Sequence, residues 1–120
     1  MWRVLVVEDD LLQGEELCDL LLSEGMEPIG PAPTVAAALN LLGSAAVDAA
    51  IVDIGLKDGL CYDVARTLLE RSIPFLFSTA SMRQVLPAEF LAVPLLHKPS
   101  DPVRLIEVLE QILPAKAHSH

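Results

Sequence analysis

Ala49-Ala50-Ile51-Val52-Asp53 constrains this chain more than any other stretch. Four apolar residues in a row, with no alternation, read as a strand buried on both faces, the habit of a parallel sheet between helical layers. A carboxylate at the tip of such a strand lies on the sheet's carboxyl edge. In open α/β sheets that edge is where ligands bind. Asp53 is therefore the candidate reactive centre.

The rest of the chain supports such a sheet. At 120 residues it has the size of one domain, and a hydrophobic content of 52% is ample for a core. Aromatic residues make up only 4%, so Leu, Val, Ile and Ala must fill that core. No run approaches the ~18 apolar residues of a membrane span. The apolar start, Met1 to Val7, meets Glu8-Asp9-Asp10 too soon for a signal peptide, so a cytoplasmic location is expected. Cys18 and Cys61 show no metal-ligand spacing and are expected to stay thiols. Eight basic against seventeen acidic residues give a net charge of −9, which argues against direct nucleic-acid binding. Most of that acidity is dispersed and serves solubility, but Glu8-Asp9-Asp10 is clustered.

Taken in order, Arg3–Val7 reads as strand one and Leu11–Ser23 as a helix with a broad Leu stripe. Asp10 or Asp9 caps that helix, Gly25 stops it, and Gly14 is a weak point inside it. Met26–Ala32 is a weak second strand, since Pro28, Pro31 and Pro33 suit only a sheet edge or its margin. Thr34 caps a helix over Val35–Leu42, with Gly43 as its stop. After the third strand, Leu56–Gly59 is expected as a loop and Leu60 or Cys61 to Arg71 as a helix. Pro74–Thr79 is strand four. Within Ser81–Ala92, Pro87 leaves room for one short helix and irregular chain. Leu95–Lys98 is strand five, stopped by Pro99. Asp101-Pro102 then opens the last helix, and Ala115–His120 is a tail. Five strands alternating with five helical segments call for a parallel sheet with helices on both faces.

The carboxyl ends of those strands deliver Glu8 and Asp9, Asp53, Ser78 and Thr79, and Lys98 to one edge. Carboxylates held close together repel, so one pKa must rise or a cation must enter. Mg²⁺ suits such a site, because it uses one or two carboxylates with waters and phosphate oxygens. Each residue also has a plainer reading. Asp53 could be a loop-capping acid, Glu8 and Asp9 could favour a helix dipole, and Lys98 could be a solvated lysine before a turn. Asp10 is better placed as a cap than as a ligand. His97 points away from Lys98 in a strand, and His118 and His120 lie in the tail.

Val6-Val7-Glu8-Asp9, Ile51-Val52-Asp53, Ser78-Thr79-Ala80 and Lys98-Pro99 come in the order of a known family. With them the chain resembles the receiver domains of bacterial two-component response regulators over essentially its whole length. Phe77-Ser78-Thr79-Ala80-Ser81, together with the loop after Asp53 and Val93 to Pro99, is most similar to the stand-alone receivers named for a Phe-Ala-Thr-Gly-Tyr motif. The resemblance implies a flavodoxin-like (βα)5 α/β fold, doubly wound, with five parallel strands in the order 2-1-3-4-5. It implies one receiver domain over 1–114, followed by the tail 115–120.

By the same resemblance Asp53 accepts a phosphoryl group from a sensor histidine kinase or phosphotransfer protein. Asp9, Asp53 and the Gly55 backbone carbonyl ligate Mg²⁺ or Mn²⁺, with Glu8 acting through a water. Thr79, in competition with Ser78, bonds the phosphoryl oxygen, and Lys98 pairs with it. Such a protein catalyses its own phosphotransfer and dephosphorylation rather than turning over a substrate. Its downstream contacts, to a target or a second copy, would use the face of the fourth segment, strand five and the last helix, with neither nucleic acid nor membrane as a partner.

Two departures bear on output. Leu95 stands where most receivers place an aromatic, and the segment from Thr79 to Lys98 is short. They keep open a pseudo-receiver that binds proteins without phosphorylation. A metal-dependent phosphatase is disfavoured, since Gly55 stands where a second carboxylate is needed. Dinucleotide binding is disfavoured by the lack of a G-x-G-x-x-G after strand one.

Overall fold

The computed structural model describes residues 1–80 and 86–114. Along the chain run β1 (Arg3–Val7), α1 (Leu11–Ser23), β2 (Glu27–Ala32), α2 (Val35–Ser44) and β3 (Ala49–Asp53). Then come β4 (Gly55–Leu56), β5 (Gly59–Leu60), α3 (Tyr62–Glu70), β6 (Phe75–Thr79), a 3₁₀ turn (Ala88–Phe90), β7 (Leu95–His97) and α4 (Pro102–Ile112). The apolar runs pair in parallel as one sheet in the order β2-β1-β3-β6-β7. Counting only the strands of this sheet, that is the expected order 2-1-3-4-5. The proline-bearing strand lies at its edge, where a missing N–H costs nothing.

Strand parity sorts the core into two layers. Leu5, Val7, Ala50, Val52, Phe75 and Phe77 face one way, onto Ala38 and Leu42 of α2 and Val64, Ala65 and Leu68 of α3. Val4, Val6, Ala49, Ile51 and Leu76 face the other way, onto Leu21 of α1 and Leu105, Ile106 and Leu109 of α4. β3 is thus buried along its whole length, as its unalternating sequence requires. Among the described residues no helix is long and apolar enough to cross a membrane.

The caps follow the sequence. Asp10, rather than Asp9, accepts the Gln13 N–H at 2.9 Å, Thr34 accepts the Ala37 N–H at 3.0 Å, and Asp101 accepts the Val103 N–H at 3.0 Å. Both cysteines are free.

The structure corrects the expected layout in several places. Four α-helices are present among the described residues, not five. Between β6 and β7 the described chain forms only the 3₁₀ turn after Pro87, and Ser81 to Val85 lie outside the described residues, as does the tail. Helix α2 runs through Gly43 to Ser44, because nothing at Gly43 turns the backbone left-handed. Residues 55–60 form a small antiparallel hairpin, β4–β5, rather than a loop, and α3 starts after it at Tyr62. The 3₁₀ turn is anchored by Phe90, which is fully buried edge-on against Phe77 and tilted against Tyr62. Outside, Glu89 pairs with Arg66 of α3 at 2.6 Å.

Two helical glycines separate packing from propensity. A Cβ at Gly43 would meet nothing within 4 Å, whereas one at Gly14 would lie 2.8 Å from the Pro31 Cβ on β2. Gly43→Ala is expected to stabilise the fold by about 0.5–1 kcal/mol through helix propensity. Gly14→Ala is expected to lose about 1 kcal/mol, because overpacking (about 1–3 kcal/mol) outweighs the same gain. Urea unfolding of the two variants checks the opposite signs.

Candidate functional site

Register alone assembles the site. Val7 lies beside Val52, Asp53 beside Ser78, and Thr79 beside His97, so the residues that follow or close these strands share the carboxyl edge. Parity then selects a face. Glu8, Asp53, Ser78 and Lys98 continue the alternation of Val6, Ile51, Leu76 and Leu96, so all four fall on the side covered by α1 and α4. They open onto a cleft of about 710 Å³, walled by Leu17 and Leu20 of α1 and by Pro102 and Leu105 of α4.

The Lys98 ammonium is the hub. It donates to Glu8 Oε1 at 2.6 Å and to Asp53 Oδ2 at 3.2 Å. Its backbone is fixed too, since the Lys98 N–H donates to the Thr79 carbonyl at 2.7 Å. The other Glu8 oxygen accepts the Asp10 N–H at 3.2 Å. Glu8 and Asp53 are buried, and Asp9 is half-buried beside them. One carboxylate oxygen from each of these three acids lies within 4.8 Å of the others. Three carboxylates against one ammonium leave a formal charge of −2, which one divalent cation would cancel. The donor set, all oxygen and partly hydrated, fits Mg²⁺ or Mn²⁺.

Burial raises the Glu8 carboxyl above its ordinary pKa, and the Asp53 charge adds to this. The bonds from Lys98 and the Asp10 N–H pull down without cancelling it. Burial works against the Lys98 ammonium as well. There the bond to Glu8 and the charges of Asp53 and Glu8 win, and its pKa is raised. Behind the site, burial and the nearby Asp53 charge push the Cys61 thiol up to about 12, so it stays protonated and inert.

Sequence reasoning and structure differ in detail here. Asp53, Glu8, Asp9 and Lys98 converge as expected. Lys98 contacts Glu8 more closely than Asp53, a pairing that motif order does not reveal. Ser78 lines the cleft, whereas Thr79, also buried, has the parity of Phe77 and the opposite layer. Gly55 opens the β4–β5 hairpin. The Cys61 N–H donates to the Ile54 carbonyl, which makes Gly55 and Leu60 a non-hydrogen-bonded pair and leaves the Gly55 carbonyl outside the ladder. His97 is exposed.

No protein-family model matches the chain. It is 34% identical over 115 residues to the sensory transduction protein LytT of Bacillus cereus, which covers 92% of this chain and 47% of LytT. The chain thus spans about half the length of the curated relatives it matches. The solution structure of SdrG from Sphingomonas melonis Fr1 superposes with a TM-score of 0.81 at 33% identity, covering 93% of this chain and 96% of SdrG. The response regulator REC domain of PhyR from Erythrobacter litoralis superposes with a TM-score of 0.82 at 27% identity, covering 92% and 88%.

The Glu8 shift predicts a pH slope. A carboxyl whose folded pKa lies above its unfolded value binds its proton more tightly when native. Its contribution to stability is full below the unfolded value, near 4.5, and is lost as pH rises through the raised folded value. In metal-free buffer the stability of wild type minus that of Glu8→Gln should therefore fall from below pH 4.5 toward neutrality. Denaturant titrations at several pH values check it, and a difference that grows would contradict the shift.

Proposed function

The chain belongs to the receiver domains of response regulators, and from that premise we propose that it accepts a phosphoryl group on Asp53 in a Mg²⁺-dependent reaction. The observation that carries this reading is the Lys98 ammonium at 3.2 Å from an Asp53 carboxylate that shares an edge with Glu8 and Asp9. The donor would be a phosphohistidine of a sensor kinase or phosphotransfer protein. Asp53 attacks phosphorus, a P–O bond forms, the P–N bond to imidazole breaks, and the imidazole leaves with its proton. Charge spreads over the phosphoryl oxygens in that transfer, so positioning and electrostatic stabilisation do most of the catalysis.

The part of each residue is taken from the receiver pattern. Asp9, Asp53 and the Gly55 carbonyl would hold Mg²⁺ or Mn²⁺, with Glu8 reaching it through water. The ion, when bound, supplies positive charge to the transferring oxygens. Lys98 would supply the second positive charge, moving its N–H donor from the Asp53 carboxylate to an oxygen of the phosphoryl group bonded to that carboxylate. A buried hydroxyl, Thr79 by the family pattern, would bond another phosphoryl oxygen. The acid set and the lysine are both in place, which favours this reading over a phosphorylation-independent binding module.

We further assign the chain to the Phe-Ala-Thr-Gly-Tyr-motif receivers, with 1–114 as the domain and cytoplasmic action. It would signal or relay by binding a protein target or a second copy through the region from the 3₁₀ turn to β7 and α4. Leu95 gives that face no aromatic to rotate. The rings of Tyr62 and Phe77 each meet Phe90 of the 3₁₀ turn, in the α2–α3 layer.

Incubation with Mg²⁺ and a small-molecule phosphodonor, followed by intact mass measurement, tests the acceptor. An adduct of ~80 Da is expected in wild type and absent from Asp53→Asn and from wild type in chelator. An adduct that survives Asp53→Asn would place the chemistry elsewhere.

A further inference from the structure

The hairpin that follows Asp53 is held from a distance. The Asp58 carboxylate, at its turn, accepts the Val35 N–H at 2.8 Å on one oxygen and the Ala36 N–H at 3.3 Å on the other. These are first-turn donors of α2, which no helical carbonyl can satisfy. Thr34 takes the next donor, Ala37. One side chain of α2's own cap and one from the hairpin therefore share the helix N-terminus. At the other end of the hairpin, the Cys61 N–H to Ile54 carbonyl bond, 2.9 Å long, closes its base directly behind Asp53. Gly59, beside Asp58, takes a φ of +134°, a turn that glycine permits. The hairpin is thus fastened at base and tip, with Gly55 between the two fastenings.

We propose that Asp58 is a positioning residue for the metal side of the site: by clamping the hairpin tip to the N-terminus of α2, it holds the Gly55 carbonyl where the cation binds. The proposal rests on the acceptor reading above, which makes Gly55 a ligand. Asp58 is not among the acids that cluster as the candidate cation site, Glu8, Asp9 and Asp53. The turn tip is exposed, so without the clamp the hairpin keeps its two short strands, its base and the buried Leu56 side chain to define its direction, and a two-stranded ribbon is marginal alone. The clamp also joins α2 to the loop nearest the reacting carboxylate, so displacement of either element is felt by the other.

Thr34→Ala supplies the control, because it uncaps the same helix without touching the hairpin. The readouts are backbone amide exchange in the metal-free protein and NMR titration with Mg²⁺ alone. In Asp58→Ala the Val35 and Ala36 amides should lose protection and the Mg²⁺ dissociation constant should rise about tenfold, the scale of an outer-shell loss. Thr34→Ala should deprotect Ala37 yet bind Mg²⁺ as wild type does. Asp58→Asn, which keeps one acceptor oxygen, should fall between. Mg²⁺ affinity unchanged in Asp58→Ala, or weakened equally in Thr34→Ala, overturns the positioning role while the acceptor reading stands. A wild type that binds no Mg²⁺ overturns that reading, and the positioning role with it.

Discussion

One ammonium held between two buried carboxylates organises this molecule. Lys98, just past the end of β7, reaches Glu8 past the end of β1 at 2.6 Å and Asp53 at the end of β3 at 3.2 Å, with β6 lying between β3 and β7 in the sheet. Without the ammonium the two buried acids would face each other unpaired at the floor of the cleft, and leaving a buried charge uncompensated typically costs about 3–5 kcal/mol. Four adjacent strands, β1, β3, β6 and β7, must hold register for both contacts to exist, so the sheet is the precondition of the site. The pairing still leaves negative charge over, and that surplus is the invitation to a divalent cation. A fully neutralised cluster would be more stable and could do nothing.

The elements around the hub divide into those that hold it and those that surround it. The α1–α4 layer closes over the side chains and forms the cleft. The α2–α3 layer backs the other face of the sheet and, through Asp58, steadies the hairpin beside Asp53. Beyond β6, the 3₁₀ turn is fastened inside by Phe90 and outside by Glu89 to Arg66. That anchorage ties the segment before β7 to α3, and β7 in turn presents Lys98. Leu95 is not a gap in the core, since it packs half-buried against the cluster that holds Phe77 and Phe90.

Much of this was legible in the sequence. The unalternating runs named the strands of the sheet, the polar caps Asp10, Thr34 and Asp101 named three helix starts, and the strand ends named Asp53, Glu8, Asp9 and Lys98. What escaped has physical reasons. Gly43 resembled a stop because glycine is common past helix ends, but only a left-handed backbone makes it one, and sequence does not show φ. The β4–β5 hairpin spans six residues, too few for alternation to register, although Asp58-Gly59 is a known turn pair. The bonds from Asp58 to Val35 and Ala36 cross more than twenty positions, and no local pattern predicts them. Lys98's preference for Glu8 depends on side-chain reach once the strands are aligned. Of the short helix and irregular chain expected over Ser81–Ala92, the described part, from residue 86, holds a 3₁₀ turn after Pro87 with Phe90 buried.

That the surplus negative charge at this edge is a cation site can be measured directly, by following the thermal unfolding midpoint against Mg²⁺ concentration. A ligand of the native state adds RT ln(1 + [L]/Kd), about 1.4 kcal/mol at ten times Kd. The wild-type midpoint should rise by several degrees and saturate, while Asp9→Asn should respond far less. A wild-type midpoint that stays flat through millimolar Mg²⁺, or a rise that Asp9→Asn reproduces in full, would contradict the site.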